Sequence, residues 1–234
     1  MIDFHTHILP GVDDGSSSVE ESIEMINELK AQNITGAVLT PHFYAYKTDV
    51  ESFIDMRDSA VEKLKRELCF ADFDLYIGAE VLFFEDLWQI DRLSSLCIKG
   101  TDCIMIEMPF QKWQESFMGG IERIVSRGMT PIIAHFDRYL LYKGNSEFID
   151  FLIECGALLQ MNSSYINDFF TRHNAVSLVK KNIVTFLGSD CHNMTYRSPN
   201  IKKACDYLIK KGCEGKLESI RKHSKRVLEQ AEKV

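Results

Sequence analysis

Long apolar runs are missing from this 234-residue chain: none approaches the roughly 20 consecutive residues that a membrane span needs. A basic leader followed by an apolar stretch is also absent. His5 arrives so early that no cleaved N-terminal segment is expected, and the start of the chain is read as its functional start. Positive charge is in deficit, with 27 Lys and Arg against 34 Asp and Glu for a net charge of −7, which argues against a nucleic-acid partner held by a basic surface. The seven cysteines, running from Cys69 to Cys213, are odd in number and contain no CxxC, so neither a disulfide framework nor a thiolate zinc site is suggested. A reducing cytoplasm is the expected compartment. Nothing resembling a Pro-, Gly- or Ser-rich linker, a charge block or an internal repeat divides the chain. One soluble domain over residues 1–234 is expected, and 45% hydrophobic residues suffice for a substantial core.

What is present is a strand-then-helix alternation, the pattern of a parallel sheet with crossover helices. Short apolar runs predict strands at 2–5, 34–40, 74–80, 102–107, 130–135, 157–162 and 183–189, seven in all. Helical periodicity predicts helices over 19–32, 50–68, 115–127, 146–155, 175–181, 201–211 and 216–229. Ser18 and Glu21 form a capping-box pattern at the first, while Gly128, Gly156 and Gly212 stand where left-handed helix exits are expected. The expected fold is α/β, a distorted seven-stranded (β/α)7 barrel, with an open doubly wound sheet as the alternative.

The chemistry-bearing residues sit just past the strands. His5 and His7 follow the first, His42 the second, Glu80 the third, Glu107 the fourth and His135 the fifth, while Asp190 and His192 follow the last. In a barrel of parallel strands those positions converge on the C-terminal rim, where such folds place their active sites. A lone His-x-His is a weak signal, equally compatible with two surface or core histidines. Repetition of the placement around the chain is what points to a polynuclear metal site. Imidazole suits zinc, iron and manganese, and the carboxylates move the balance toward Mn²⁺ or Fe²⁺. His173 and His223 lie in polar helical surroundings and read as surface residues.

The ordered set His5-x-His7, Val12-Asp13-Asp14-Gly15, Thr40-Pro41-His42, Gly78-Ala79-Glu80, Ile106-Glu107, Ile133-Ala134-His135 and Gly188-Ser189-Asp190-Cys191-His192 resembles the polymerase-and-histidinol-phosphatase (PHP) superfamily. Within it the chain is most similar to the metal-dependent protein-tyrosine phosphatases of bacterial capsule and exopolysaccharide operons. That resemblance implies three divalent ions, expected as Mn²⁺ with Fe or Zn as alternatives, on the C-terminal rim of a distorted (β/α)7 barrel. It assigns His5, His7, Glu80 and Asp190 to the first ion, Glu80, Glu107 and His135 to the second, and Asp14, His42 and His192 to the third. Asp13 is the alternative to Asp14. Arg138 and Arg197 match the family's phosphate-contacting arginines, although this chain has Phe136-Asp137 where the family more often has Pro-Glu. The implied activity is hydrolysis of phosphotyrosine on a protein, a bacterial tyrosine kinase that regulates polysaccharide synthesis. A histidinol-phosphate or other small phosphomonoester phosphatase is the alternative, and a non-catalytic interaction module a third reading.

Cys191 with Arg197-Ser198 also fits the C-x5-R-S string of thiol-dependent tyrosine phosphatases. That chemistry needs a loop of backbone N–H groups around the phosphate, usually eased by glycine, and the intervening His-Asn-Met-Thr-Tyr contains none. The thiol reading is therefore set aside. Phe43, Tyr44, Tyr46, Phe110, Trp113 and Tyr139 are candidates for aromatic walls around an aryl phosphate, or for plain rim packing; Tyr165 is similarly ambiguous.

Overall fold

The computed structural model describes residues 1–67 and 72–234. Leu68, the expected end of the second helix, and Cys69 lie outside the described residues. Strands β1 (Ile2–Thr6), β2 (Gly36–Leu39) and β4 (Asp74–Ile77) pair in parallel in the order β1-β2-β4. A second, curled parallel sheet runs in the order β3-β5-β6-β7-β8-β9, with β3 at His42–Phe43, β5 at Glu80–Leu82, β6 at Cys103–Glu107, β7 at Thr130–Ile133, β8 at Leu158–Asn162 and β9 at Phe186–Gly188.

Two of the expected strands stop short, at Leu39 and Ile77, and each is followed after a two-residue break by a short strand that was not expected, β3 and β5; the breaks lie side by side. Pro41 has no N–H to donate, so the ladder lapses between β2 and β3; the neighbouring chain turns at Gly78-Ala79, between β4 and β5. Both chains resume together, with the Glu80 amide donating to the Pro41 carbonyl (3.0 Å) and His42 opposite Glu80 in register. The break therefore sets an imidazole beside a carboxylate.

Helices α1 (Val19–Ala31), α2 (Val50–Glu67), α3 (Glu115–Ser126), α4 (Phe136–Tyr139), α5 (Glu147–Glu154), α6 (Ser163–Asn167), α7 (Arg172–Lys180), α8 (Ile201–Lys210) and α9 (Glu214–Leu228) connect the strands. The one-turn helices α4 and α6 were not expected; α6 begins directly after β8 and α4 two residues beyond β7. Ser18 caps α1 as its sequence suggests, but Glu21 reaches one residue further back than a capping box requires, accepting from the Ser17 N–H at 2.9 Å. Five helices leave by one device. At the ends of α1, α3, α5, α7 and α8 the residues Asn33, Gly128, Gly156, Asn182 and Gly212 take positive φ, and the next amide bonds back to the third-last carbonyl, as in Ile34 N–H to Leu29 and Ala157 N–H to Leu152. The two asparagines were not anticipated, although Asn tolerates this region better than other non-glycine residues.

Apolar packing forms two layers. Most of the core lies between strands and helices, and a smaller cluster of Ile2, Phe4, Val38, Tyr76, Met105, Ile132 and Phe186 is closed off by Leu228 of α9. Phe4 and Phe186 stack there at 3.8 Å between ring centroids. Burial of this kind contributes roughly 2 kcal/mol per large side chain.

Candidate metal centre

The ligand candidates from the sequence gather in one place, His5, Glu107, His135 and Asp190 at or just past the ends of strands, His42 and Glu80 where β3 and β5 resume, and Asp14 in the loop after β1, and Glu80 is the hub. Its carboxylate lies 3.2 Å from His5 Nε2, 3.3 Å from His7 Nε2, 3.0 Å from His42 Nδ1 and 2.9 Å from His135 Nε2, and the whole side chain is buried. Asp190 Oδ1 lies 3.5 Å from His7 Nε2 and 3.7 Å from His5 Nε2. Glu107 approaches His135 at 3.5 Å and His42 at 4.0 Å. Asp14, mostly exposed, sets one oxygen 3.6 Å from both His42 Nε2 and His192 Nε2. Three groups gather closely enough to share an ion: His5, His7 and Asp190; His42, Glu80 and Glu107; and Asp14, His7, His42 and His192.

Asp13 takes a different part from Asp14. Its carboxylate accepts from His7 Nδ1 at 2.7 Å and from the His42 backbone N–H at 2.9 Å, orienting two of the imidazoles from behind. Gln160 and Asn162, not among the candidates read from sequence, do similar work from the end of β8. Gln160 Oε1 accepts from His5 Nδ1 (3.0 Å) and from the His135 amide (2.7 Å), and Asn162 Nδ2 donates to Asp190 (2.9 Å). Two fully buried amides ending a Leu-Leu-Gln-Met-Asn strand were the available signal. Asp137, also buried, accepts from the Asn162 amide at 2.8 Å and so ties α4 to β8. Deeper still, Asp3 accepts from Ser189 Oγ and from the Ser189 and His5 amides.

The tautomers follow from this network. With His5 Nδ1 and His7 Nδ1 both donating, each ring would offer its Nε2 lone pair to a bound cation, and those two atoms face each other at 3.1 Å; without one, Asp13, Asp190 and Glu80 outweigh burial and raise His7 well above the usual imidazole range. Two lone pairs at that distance repel unless something positive lies between them. His42 Nδ1, Glu80 Oε2 and His192 Nε2 are likewise buried without an aligned hydrogen-bond partner. Orphaned donor atoms on converging imidazoles and carboxylates fit a divalent cation.

The electrostatics agree. Burial alone would push the Glu80 carboxyl up, but His5, His135 and His42 outweigh it and hold the group well below the usual carboxylate range. Asp190 is depressed in the same way, against its burial, by His5, His7 and Arg138. His135 is raised to about 9 because Glu107 and Glu80 overcome burial, whereas burial and nearby His7 push His192 down to about 4. His135 and Asp190 also adopt positive φ, 31° and 54°, a conformation that costs of order 1–3 kcal/mol and clusters at functional sites. Gly188 explains how β9 comes so near β1: a Cβ there would lie 2.6 Å from that of His5.

Arg138 donates to Asp190 Oδ2 (2.6 Å) and Arg197 to Asp190 Oδ1 (2.8 Å), with about a third of each side chain exposed, 36% and 32%. Cys191 is fully buried, and burial drives its thiol well above the ordinary range, the opposite of a nucleophilic thiolate. Among the remaining histidines, His173 is exposed as expected. His223 is not a free surface residue: its ring packs on Phe186 at 5.4 Å. Tyr165 is half-buried and bonded to Asn174.

A parallel α/β fold carrying this set of converging imidazoles and carboxylates defines a protein with a candidate multi-ligand cation centre. The family model described as capsular polysaccharide synthesis, CpsB/CapC, matches residues 1–229, and the chain belongs to that family. Tyrosine-protein phosphatase CpsB of Streptococcus agalactiae is 28% identical over 213 residues, covering 87% of this chain and 88% of that protein. Tyrosine-protein phosphatase YwqE of Bacillus subtilis is 29% identical over 222 residues, covering 90% and 84%. Among solved structures, one reported with YwqE from Bacillus subtilis and CpsB from Streptococcus pneumoniae, described as unique metal-dependent tyrosine phosphatases, superimposes with a TM-score of 0.84 at 26% identity, covering 99% of this chain and 96% of that one.

Proposed function

We propose that this protein is a metal-dependent protein-tyrosine phosphatase, a hydrolase of phosphoric monoesters. The observation that carries the reading is the buried Glu80 carboxylate ringed by four imidazole nitrogens within 3.3 Å, with two arginines converging on the adjacent Asp190. Membership of a family whose relatives bear that activity supplies the substrate class.

We assign His5, His7, Glu80 and Asp190 to one ion, Glu80, Glu107 and His135 to a second, and Asp14, His42 and His192 to a third, with Mn²⁺ the expected metal and Fe or Zn as alternatives. When bound, such ions neutralise the phosphoryl oxygens and lower the pKa of water so that it attacks phosphorus at neutral pH. The side chains supply the rest. Arg138 and Arg197, whose guanidinium forks match phosphate, leave Asp190 in part to grip the non-bridging oxygens. Gln160 and Asp13 fix the tautomers of His5 and His7, so the lone pairs point inward before substrate arrives.

The two sheets are read as one distorted seven-stranded barrel forming a single domain over residues 1–234. Hydrogen bonds from His7 N–H to the Cys191 carbonyl (2.9 Å) and from Asp190 N–H to the His5 carbonyl (2.8 Å) support closure of β1 onto β9. The protein partner we envisage is a phosphotyrosine-bearing bacterial kinase controlling polysaccharide synthesis, met in the cytoplasm. Among the described residues no helix is long and apolar enough to cross a membrane.

The test is metal analysis of the purified protein, then assay of the Mn²⁺-loaded enzyme on a phosphotyrosine peptide and on histidinol phosphate. Turnover of the peptide, abolished by chelation and restored by Mn²⁺, is expected. Preference for histidinol phosphate would move the substrate assignment, and inactivity on both would favour an interaction module.

A further inference from the structure

The structure separates the six rim aromatics sharply. Phe43, Trp113 and Tyr139 are 1%, 2% and 0% exposed and belong to the core. Tyr44 is already covered: its ring stacks on His42 at 5.1 Å and on Tyr46 at 5.5 Å, with the Lys47 ammonium over it at 4.4 Å. Tyr46 is exposed but reaches the centre only through Tyr44. Phe110 alone among the six is both open and adjacent. It is 47% exposed, lies nearly parallel to His135 (5.7 Å, 17°), and its centroid is 6.0 Å from the Arg138 guanidinium carbon.

We propose that Phe110 is the specificity-determining residue for the aryl group, a flat platform on which the phenyl ring of the substrate stacks while Arg138 holds its phosphate. This rests on the phosphotyrosine reading above. The distances suit it: in a phenyl phosphate the ring begins one ester oxygen from phosphorus, so a phosphate gripped by Arg138 carries its ring toward the Phe110 face. His135 stacks against the Phe110 ring, Tyr139 approaches it tilted at 5.5 Å and the Arg138 guanidinium lies over it at 6.0 Å, and the exposed remainder of the ring surface is what an incoming aryl group would meet in the offset-stacked arrangement aromatic pairs prefer. An alkyl phosphate has nothing to place there.

The backbone that carries Phe110 is also latched. Phe110 follows Glu107-Met108-Pro109 at the end of β6, and the loop is latched by buried Asn145, which accepts from the Trp113 amide (2.8 Å) and donates to the Gln111 carbonyl (3.0 Å). A platform fixed in advance loses little freedom when it binds.

The test compares phenylphosphonate with methylphosphonate, two non-hydrolysable anions that differ in the ring, by calorimetric titration of the Mn²⁺-loaded protein. Wild type is expected to prefer the phenyl compound. Phe110→Ala should lower that preference ~3- to 10-fold, the usual worth of one aromatic pair, and Phe110→Tyr should restore it. Metal content, measured in parallel, should match wild type. An equal loss of affinity for both anions, or lost metal, would show that Phe110 merely supports His135 and would overturn the proposal. So would a wild type with no preference for the phenyl compound. Because the readout is binding, failure to turn over phosphotyrosine peptide would count against the substrate assignment and leave the ring-platform result standing or falling by itself.

Discussion

The two ends of the same parallel strands are built by opposite rules. At the N-terminal end, helices hand over to strands through near-identical exits in which Asn33, Gly128, Gly156 and Asn182 sit at positive φ and the freed helical carbonyls are satisfied by the following amides. At the C-terminal end, positive φ falls on His135 and Asp190, imidazole lone pairs face each other, and buried donor atoms lack aligned partners. The first end uses residues that tolerate the left-handed region and bonds the freed helical carbonyls to the amides that follow. The second accepts backbone strain and buried donor atoms without aligned partners, held in place by the structure around them.

The contrast can be broken most severely at Glu80. Glu80→Ala removes a carboxylate shared by four imidazoles, and kcat/KM on a phosphotyrosine peptide should fall by at least ~10³-fold together with metal content. Exhaustive chelation of the wild type should do the same, reversibly. Retention of full activity in metal-free protein would end the cation-centre reading.

Arg138→Ala and Arg197→Ala should each cost on the order of 10²-fold in kcat/KM with metal content nearly unchanged, since a charge-assisted phosphate contact is lost and no proposed ligand is removed. Parallel determination of turnover and bound metal separates this from damage to the centre. Gln160→Leu should act through His5 and His135, weakening metal affinity by roughly 10- to 100-fold, as loss of an orienting partner does elsewhere. Measured metal affinity equal to wild type would mean that the imidazoles are held without it.

At the other end the expected changes are small and of a different kind. Gly128→Ala meets nothing within 4 Å of the new Cβ, so its cost is the left-handed backbone alone, about 1 kcal/mol, seen as a Tm drop of about 2–4 °C with kcat unchanged. A loss of activity without loss of stability would contradict the division of labour between the two ends. Smallest of all should be Cys191→Ser. A fully buried thiol whose pKa burial has raised is no nucleophile, and the variant should keep most of its turnover and all of its metal dependence. A dead variant with full metal content and an intact fold would instead support the C-x5-R-S chemistry.

Much was legible before any coordinates, because it rests on short-range rules. Apolar runs closed by His, Glu and Asp mark strand ends, period-3.6 stretches mark helices, and glycines mark three of the exits; these depend on local geometry and survive in any arrangement of the chain. The candidate ligands were therefore legible one by one. What sequence could not decide was who faces whom. Asp13 and Asp14 are adjacent and chemically alike, yet one turns inward to orient His7 while the other reaches His42 and His192, a division fixed by how the loop after β1 folds against β3. Gln160 and Asn162 carry no signature of their own, because an amide becomes an orienting group only when β8 lies between β7 and β9. Neither the break at Pro41 nor the turn at Gly78-Ala79 beside it was legible, and it is their alignment that lets His42 meet Glu80. Phe110 was one of six aromatics in sequence, and burial of three and covering of Tyr44 singled it out. Local propensity fixes which groups each strand end offers; long-range packing alone fixes the ångström-scale convergence that turns them into a site.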